Sequence, residues 1–335
     1  MHRFFEKTQI MELWLDITYF VVGLVLIIFG ADWLTNGASG VARRFNVSTL
    51  IIGLTIVAFG TSMPELVVSV TAAIQGHSEM AIGNVVGSNL FNTFAIVGAT
   101  ALICPVVCGK DMRHRDIIVN IVVSLLLLLF VYLWDADGEN AINRWEGIIL
   151  LLVFAAYMFW IIRAAKQKKE QTDDKTAAEP TKPMKMGKAI LLIVLGLGGL
   201  VGGGQLFVDG ASGLAQLMGV SESVIALTIV AAGTSMPELA TSVAAAMKHD
   251  TDMAIGNVVG SNIFNILLIL GTSSCIQDLT LGSITRFDFI CMAISIVVLF
   301  IFVYLGKGLK ISRLEGAIMV LMIIAYYTFV VIQVA

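Results

Sequence analysis

The chain has 335 residues, of which 58% are hydrophobic and only 13% are charged, and its formal net charge is −3. Soluble domains carry about 25% charged residues, so this composition excludes a soluble globular protein. Together with a mean hydropathy of +0.90, it predicts an all-α polytopic membrane protein. We expect a lipid bilayer around it and no nucleic-acid partner.

Apolar stretches close to the roughly 20 residues that a spanning helix needs recur along nearly the whole chain. In chain order the ten predicted transmembrane helices are 13–36, 46–75, 80–105, 116–134, 146–164, 187–213, 219–247, 253–277, 288–306 and 313–333. The charges before the first stretch are mixed, and the stretch is long enough to span, so no cleavable signal peptide is expected.

One polar, proline-containing segment separates two groups of five predicted helices. We therefore divide the chain into a first repeat at 1–164, a linker at 165–186 and a second repeat at 187–335. With loops assigned alternately to two sides, 17 of the 21 Lys and Arg fall on the linker's side. The positive-inside rule then predicts a cytoplasmic linker and both termini outside. So compact a chain suggests a prokaryotic plasma membrane.

The two halves are repeats of one another. The segment beginning LTIVAFGTSMPE at Leu54 aligns without a gap to LTIVAAGTSMPE at Leu227, and about two-thirds of the aligned positions are identical. Five is an odd number of spans, so the second half must enter the membrane in the opposite sense. Inverted-topology repeats are typical of secondary transporters, which hold their substrate near the midplane between the repeats.

The motif GTSMPE occurs at 60–65 and again at 233–238. Proline lacks an N–H and clashes with the carbonyl four residues back, so Pro64 should break its helix and free the Gly60 carbonyl. The nearby Ala58 carbonyl is expected to tilt out of the helix as well. In lipid, such backbone is tolerated only where it faces protein or a hydrated cavity. The glutamate that follows costs at least about 2.5 kcal/mol at mid-membrane, so its default interpretation is functional.

The second motif, GNVVGSN.FN, lies one helix later in each half. Its polar residues recur at every fourth position and therefore lie on one face of a helix. They are Asn84, Ser88 and Asn92 in the first copy and Asn257, Ser261 and Asn265 in the second. Taken alone, such residues are as often hydrogen-bonding contacts between packed helices as a binding site.

The carboxylates, hydroxyls and carbonyls of both motifs together favour a hard cation. Ca²⁺ takes six to eight oxygens at flexible geometry, whereas Mg²⁺ demands a stricter octahedron and usually retains water. Glu65 and Glu238 would neutralise one divalent ion. Na⁺ has a similar size and could share the same oxygens.

These two repeated motifs resemble the signature repeats of the cation/calcium exchanger superfamily, in its prokaryotic sodium/calcium exchanger branch. The resemblance implies that the second and third helices of each half surround the ions, while the first and sixth helices slide across the rest. Glycines of the sixth helix, at 196, 198, 199 and 202–204, would suit such sliding. The ion-binding residues it implies are Glu65, Thr61, Ser62, Ser88, Asn92 and the Ala58 carbonyl, and Glu238, Thr234, Ser235, Ser261, Asn265 and the Ala231 carbonyl.

The function that this resemblance implies is exchange of Na⁺ for Ca²⁺, with the ions as substrates and no cofactor. Some members carry Asp where this chain has Asn265, which leaves the ion stoichiometry and proton coupling open. A Ca²⁺/H⁺ exchanger is the nearest alternative, because the two glutamates could carry protons, and a passive cation channel is a more distant one. The chain has neither a phosphate-binding GxxxxGK[ST] loop nor an HExxH motif, so an ion gradient is the expected energy source and no enzymatic activity is expected. The oligomeric state stays open.

Overall fold

The computed structural model describes residues 2–45, 47–133, 142–172, 184–218, 231–281, 284–306 and 309–334. Nearly all of this part of the chain is helical. Its helices are α1 (His2–Phe45), α2 (Thr49–Thr61), α3 (Met63–Ile74), α4 (Ser78–Ile103), α5 (Met112–Tyr132), α6 (Arg144–Thr172), α7 (Met186–Leu217), α8 (Ala231–Thr234), α9 (Met236–Met247), α10 (Thr251–Ile276), α11 (Arg286–Leu305) and α12 (Arg313–Val334).

Eight helices within the described ranges are long and apolar enough to cross a membrane, and the bent pair α2–α3 makes a ninth candidate. Each of these coincides with one predicted span. The remaining span, 219–247, is described only from residue 231 onward, where it forms α8 and α9. The chain therefore has the helical architecture of an integral membrane protein.

Helix α6 extends into the predicted linker at 165–186. Helix α6 continues to Thr172, so residues 165–172 are helical, whereas residues 173–183 lie outside the described part of the chain. The physical reason is that these positions are rich in Ala, Lys, Gln and Glu, which are good helix formers even where they are too polar for lipid.

The predicted break in the second span lies at Ser62. The axes of α2 and α3 meet there at 46°, and Ser62 has φ −84° and ψ 8° between them. Pro64 falls in the first turn of α3, where its missing N–H costs α3 itself no hydrogen bond. Ser235 repeats this geometry between α8 and α9, with φ −88° and ψ 8°.

One detail of that prediction is wrong. The Ala58 carbonyl stays in the helical ladder, because it accepts a hydrogen bond from the Ser62 N–H at 3.0 Å. Pro64 removes only the N–H that would reach Gly60, so the loss of a donor is confined to that carbonyl.

Helices α1 and α7 pack against each other through glycines. A side chain built on Gly30 would lie 2.8 Å from the Leu200 nitrogen, and one built on Gly196 would lie 2.6 Å from the Leu34 nitrogen. Only small residues permit backbones to approach this closely, which is how membrane helices gain packing contacts. Not every glycine of α7 takes part, since Gly198 has no atom within 4 Å of the equivalent position.

Lysine 248, just after α9, joins the second half of the chain to α1. Its ammonium lies 2.6 Å from an Asp32 carboxylate oxygen. It also donates to the Thr35 hydroxyl at 2.6 Å and to Asn36 Oδ1 at 3.0 Å. Because the ion pair is partly exposed, water screens it, and the contact is a modest one.

The interior is formed by α4, α10 and the helices around them. Residues 253–267 of α10 are all buried. Both helices contain a π-helical turn, at Phe91–Ile96 and at Asn265–Leu270, and such turns often occur at functional sites. At the helix ends a short strand β1 (Val106–Val107) pairs antiparallel with β2 (Lys310–Ile311).

Candidate functional site

Two buried carboxylates stand directly after the two helix breaks. Glu65 lies in the first turn of α3, and Glu238 lies in the first turn of α9. Both side chains are fully buried. A helix N-terminus carries a partial positive charge, which offsets part of the cost of placing a carboxylate there. The break and the glutamate therefore act together, because the break creates the helix start that the glutamate needs.

The serine at each break serves the glutamate of the other half. Ser62 Oγ donates to Glu238 Oε1 at 2.9 Å, and Ser235 Oγ donates to Glu65 Oε1 at 3.1 Å. These four residues form two pairs of alignment equivalents, so the contacts are related by exchange of the two halves. Hydrogen bonds to an ionised group are the stronger kind. The two carboxylates are thereby held next to each other across the boundary between the halves.

Two equivalent asparagines hydrogen-bond to the helices that begin at the two breaks. Asn84 of α4 donates through Nδ2 to the Glu65 carbonyl at 3.2 Å and to Ser69 Oγ at 2.9 Å. Asn257 of α10 makes the same two contacts with Glu238 and Ser242, at 3.3 and 3.0 Å. These amides therefore fix the backbone that carries each glutamate.

Threonine 61 extends the contact between the halves. Its hydroxyl donates to Asn257 Oδ1 at 3.1 Å, and its side chain is fully buried. Thr234, its equivalent, lies half-buried at the end of α8. Ala58 is buried, and Ala231 is the first residue of α8, directly after a stretch that lies outside the described residues.

Several buried oxygens of the two repeated motifs receive no hydrogen bond from any described residue. They are Glu65 Oε2, Glu238 Oε2, Ser88 Oγ, Asn92 Oδ1 and Asn265 Oδ1. Ser261 Oγ, the equivalent of Ser88, donates to Glu238 Oε1 at 3.3 Å. Buried polar atoms almost always have a partner. These unpartnered oxygens, two of which belong to the carboxylates themselves, have the donor chemistry that a hard cation requires.

Among the described residues, the negative charge at this centre comes from the two glutamates. Within the described ranges, no group of three or more His, Cys, Asp or Glu side chains lies together in a way that could hold a metal. The remaining oxygens belong to hydroxyls, amides and carbonyls. Transition metals such as Zn²⁺ and Cu⁺ favour thiolate and imidazole ligands. A site built from oxygen atoms suits Ca²⁺ or Na⁺ instead.

The sequence interpretation missed three polar residues beside the site. Asn89 Oδ1 accepts from Asn265 Nδ2 at 3.0 Å, and Asn262 Nδ2 donates to Thr93 Oγ1 at 2.9 Å. All are buried. A signal was present, because Asn89 and Asn262 are identical in the two copies of GNVVGSN. They are not part of the series of polar residues spaced four apart, so the sequence interpretation, which considered only that helix face, left them out.

Comparison with known proteins gives consistent matches over both halves. The family model described as sodium/calcium exchanger protein matches residues 15–163 and 188–334. The putative antiporter CaxA of Alkalimonas amylolytica is 39% identical, over 92% of this chain and 96% of its own length. The sodium/calcium exchanger MaX1 of Methanosarcina acetivorans is 33% identical, over 91% and 95% respectively. A solved structure of the sodium-calcium exchanger NCX_Mj superposes with a TM-score of 0.77 at 32% identity, covering 95% of this chain and 98% of that one.

Proposed function

The chain belongs to the sodium/calcium exchanger family, and from this premise we propose that it exchanges Na⁺ for Ca²⁺ across a membrane as a secondary antiporter. The observation that carries the proposal is the reciprocal pairing of Ser62 with Glu238 and of Ser235 with Glu65. It brings two carboxylates together in a buried place where only a cation can compensate their charge.

The proposed architecture is ten transmembrane helices in two inverted repeats of five, at 1–164 and 187–335. Two features support it. The helix breaks at Ser62 and Ser235 have the same geometry at equivalent positions, and the reciprocal hydrogen bonds are what a twofold relation between the halves requires. Inverted repeats place the substrate at the interface of the halves, which is where the carboxylates lie.

The proposed ligands of the transported ions are the oxygens gathered at this interface. They are the carboxylates of Glu65 and Glu238, the side-chain oxygens of Thr61, Ser62, Ser88, Asn92, Thr234, Ser235, Ser261 and Asn265, and the carbonyls of Ala58 and Ala231. Ca²⁺ accepts six to eight of them. The Ala58 carbonyl accepts from the Ser62 N–H at 3.0 Å and lies 3.4 Å from the Thr61 hydroxyl. It has a lone pair for an ion when Thr61 donates to Asn257 Oδ1 instead.

Exchange follows from the charge of the site. Two buried carboxylates without a cation repel one another and are poorly solvated, so moving the ion-free site between the two sides of the membrane is unfavourable. One Ca²⁺ neutralises both charges, and Na⁺ ions can do the same. The close glycine contact of α1 with α7 supports the view that these two helices move together as the site changes sides.

We place the protein in a prokaryotic plasma membrane, with the linker at 165–186 in the cytoplasm and both termini outside. The basis is the excess of Lys and Arg in loops on the linker's side. In this arrangement the inward Na⁺ gradient would expel Ca²⁺. The ions are substrates, and we expect neither a cofactor nor catalytic chemistry in a member of an exchanger family.

The test is Ca²⁺ uptake by purified protein in proteoliposomes. Vesicles loaded with Na⁺ are compared with vesicles loaded with K⁺ and with vesicles carrying only a pH gradient. We expect uptake that requires internal Na⁺ and that disappears in Glu65→Gln and in Glu238→Gln. The matched control is Glu315→Gln, because Glu315 accepts from the Ser312 N–H at the start of α12 and should leave exchange intact.

Other outcomes would redirect the assignment. Uptake driven by the pH gradient without Na⁺ would identify a Ca²⁺/H⁺ exchanger, and uptake without any counter-ion gradient would identify a channel. Melting temperatures of all variants separate loss of function from loss of folding. Retained Na⁺-driven uptake in both glutamine variants would contradict the site.

A further inference from the structure

The carboxamide of Asn265 has a defined orientation. Its NH₂ group donates to Asn89 Oδ1 at 3.0 Å, whereas its own Oδ1 receives no hydrogen bond from the described residues. The side chain is completely buried. A carboxamide is useful to a cation only through its oxygen, because the NH₂ end carries the positive side of the dipole. Whatever holds the NH₂ group therefore decides whether this residue attracts or repels an ion.

Asparagine 89 is itself held in the orientation that this role requires. Its NH₂ group donates to the backbone carbonyl of Asn262 at 3.4 Å, which leaves its Oδ1 as the acceptor for Asn265. The chain of contacts runs from a fixed backbone carbonyl, through Asn89, to Asn265. A backbone carbonyl can only accept a hydrogen bond, so Asn89 must turn its NH₂ group toward the Asn262 carbonyl and its Oδ1 toward Asn265.

The equivalent contact in the other half is absent from the described hydrogen bonds. Exchange of the halves would require Asn92 to donate to Asn262 Oδ1, yet both polar atoms of Asn92 and Asn262 Oδ1 are without partners. Asn262 Nδ2 donates instead to Thr93 Oγ1. The residue equivalent to Thr93 is Ile266, which has no acceptor. Asn89 therefore cannot make the bond that Asn262 makes with Thr93, and it donates to the Asn262 carbonyl instead.

We propose that Asn89 is a positioning residue for the transported ion, and that it acts by holding the Asn265 NH₂ group so that Asn265 Oδ1 is presented to the ion. This inference rests on the proposed function. Asn92 receives no such support, so the two halves contribute unequally to one site. The interaction of an ion with a dipole grows with the ion's charge, so Asn89 matters more for Ca²⁺ than for Na⁺.

The first test replaces Asn89 by Leu, which has a similar size and no acceptor. Changes that misorient a metal ligand from behind typically weaken binding about 10- to 100-fold. We expect Asn89→Leu to raise the KM for Ca²⁺ in Na⁺-loaded proteoliposomes at least about 10-fold, with a smaller change in the half-saturating Na⁺ concentration. Equilibrium binding of radioactive Ca²⁺ to the detergent-solubilised protein should weaken in parallel.

The decisive measurement is a double substitution. In Asn265→Asp both terminal atoms are oxygens, so no acceptor is needed to orient them. Adding Asn89→Leu to Asn265→Asp should therefore leave the KM for Ca²⁺ of Asn265→Asp unchanged, whereas a purely structural role for Asn89 would raise the KM equally in both backgrounds. Should the leucine variant not fold, Asn89→Ala carries the same expectations.

The matched control is Asn262→Leu, at the equivalent position of the other half. It removes the contact with Thr93 and should lower the melting temperature without raising the KM for Ca²⁺. An unchanged KM in Asn89→Leu, or an equal rise in Asn89→Leu and Asn262→Leu, would overturn the inference. Absence of Na⁺-dependent uptake by the unsubstituted protein would instead overturn the proposed function.

Discussion

The packing of α1 against α7 can be tested by two alanine substitutions placed two residues apart. At Gly196 a Cβ would lie 2.6 Å from the Leu34 nitrogen and 2.8 Å from the Gly30 carbonyl oxygen. At Gly198, on the same helix, nothing lies within 4 Å. Both changes add the same methyl group and the same helix propensity, so the difference between them isolates the helix contact.

The magnitude follows from these distances. Ordinary contact of a Cβ begins near 3.4 Å, so at 2.6 Å the backbones must separate locally by 3.4 minus 2.6, about 0.8 Å. Overpacking of a close-packed interface costs about 1–3 kcal/mol. Replacing Gly by Ala in an exposed helical position instead stabilises by up to about 1 kcal/mol. Because that gain is common to both variants, we expect Gly196→Ala to be less stable than Gly198→Ala by the overpacking cost alone, about 1–3 kcal/mol.

The assay is thermal unfolding of the purified variants in detergent, followed by Ca²⁺ uptake in proteoliposomes. Gly196→Ala should melt below the unsubstituted protein and exchange ions more slowly, while Gly198→Ala should melt at or above it with normal exchange. Equal melting temperatures for the two variants would refute the reasoning, because the close approach of the helices at Gly196 would then contribute nothing to the stability of the protein.

Two further predictions concern contacts between the halves. Ser62→Ala and Ser235→Ala each remove one donor to a buried carboxylate, a bond worth about 1.5–3 kcal/mol, so both should reduce Ca²⁺ uptake at limiting Ca²⁺. The loss should be larger in Ser235→Ala, because Glu238 keeps the hydrogen bond from Ser261 whereas the equivalent Ser88 Oγ makes none to Glu65; normal uptake in either variant would contradict the role of the reciprocal bonds. Lys248→Met removes the ion pair with Asp32, which is partly exposed and therefore worth about 1 kcal/mol or less. Its melting temperature should fall slightly at low ionic strength and match that of the unsubstituted protein at high salt; a deficit that is independent of salt would show that the ion pair is not the cause.

Much of the fold could be predicted because its signals are local. Apolar stretches of spanning length gave the positions of the helices, and Pro64 gave the break at Ser62, since both depend on residues adjacent in the chain. Where a helix runs past its predicted span, the local signal was ambiguous. The segment after residue 164 is too polar for lipid but favourable for a helix, so α6 continues to Thr172.

Among the glycines of α7 the sequence could not distinguish contact from exposure. Gly196 and Gly198 are equally small, and only the direction in which each faces decides that one touches α1 and the other does not. That direction depends on the rotation of α7 about its axis, which is fixed by packing against α1 and not by any property of the glycines themselves.

The candidate site divides in the same way. By itself the sequence determined that the chain is a helical membrane protein with a glutamate at equivalent positions of two repeats, because composition, proline chemistry and the repeat alignment are read along one chain; the exchanger function followed from the resemblance of the repeated motifs to a known family. Only the tertiary structure decided that each serine donates to the glutamate of the opposite half, and that Asn265 has a support in Asn89 which Asn92 lacks. An alignment of repeats states which residues are equivalent, but which of them touch depends on how the two halves pack, since contacts between distant segments leave no local pattern.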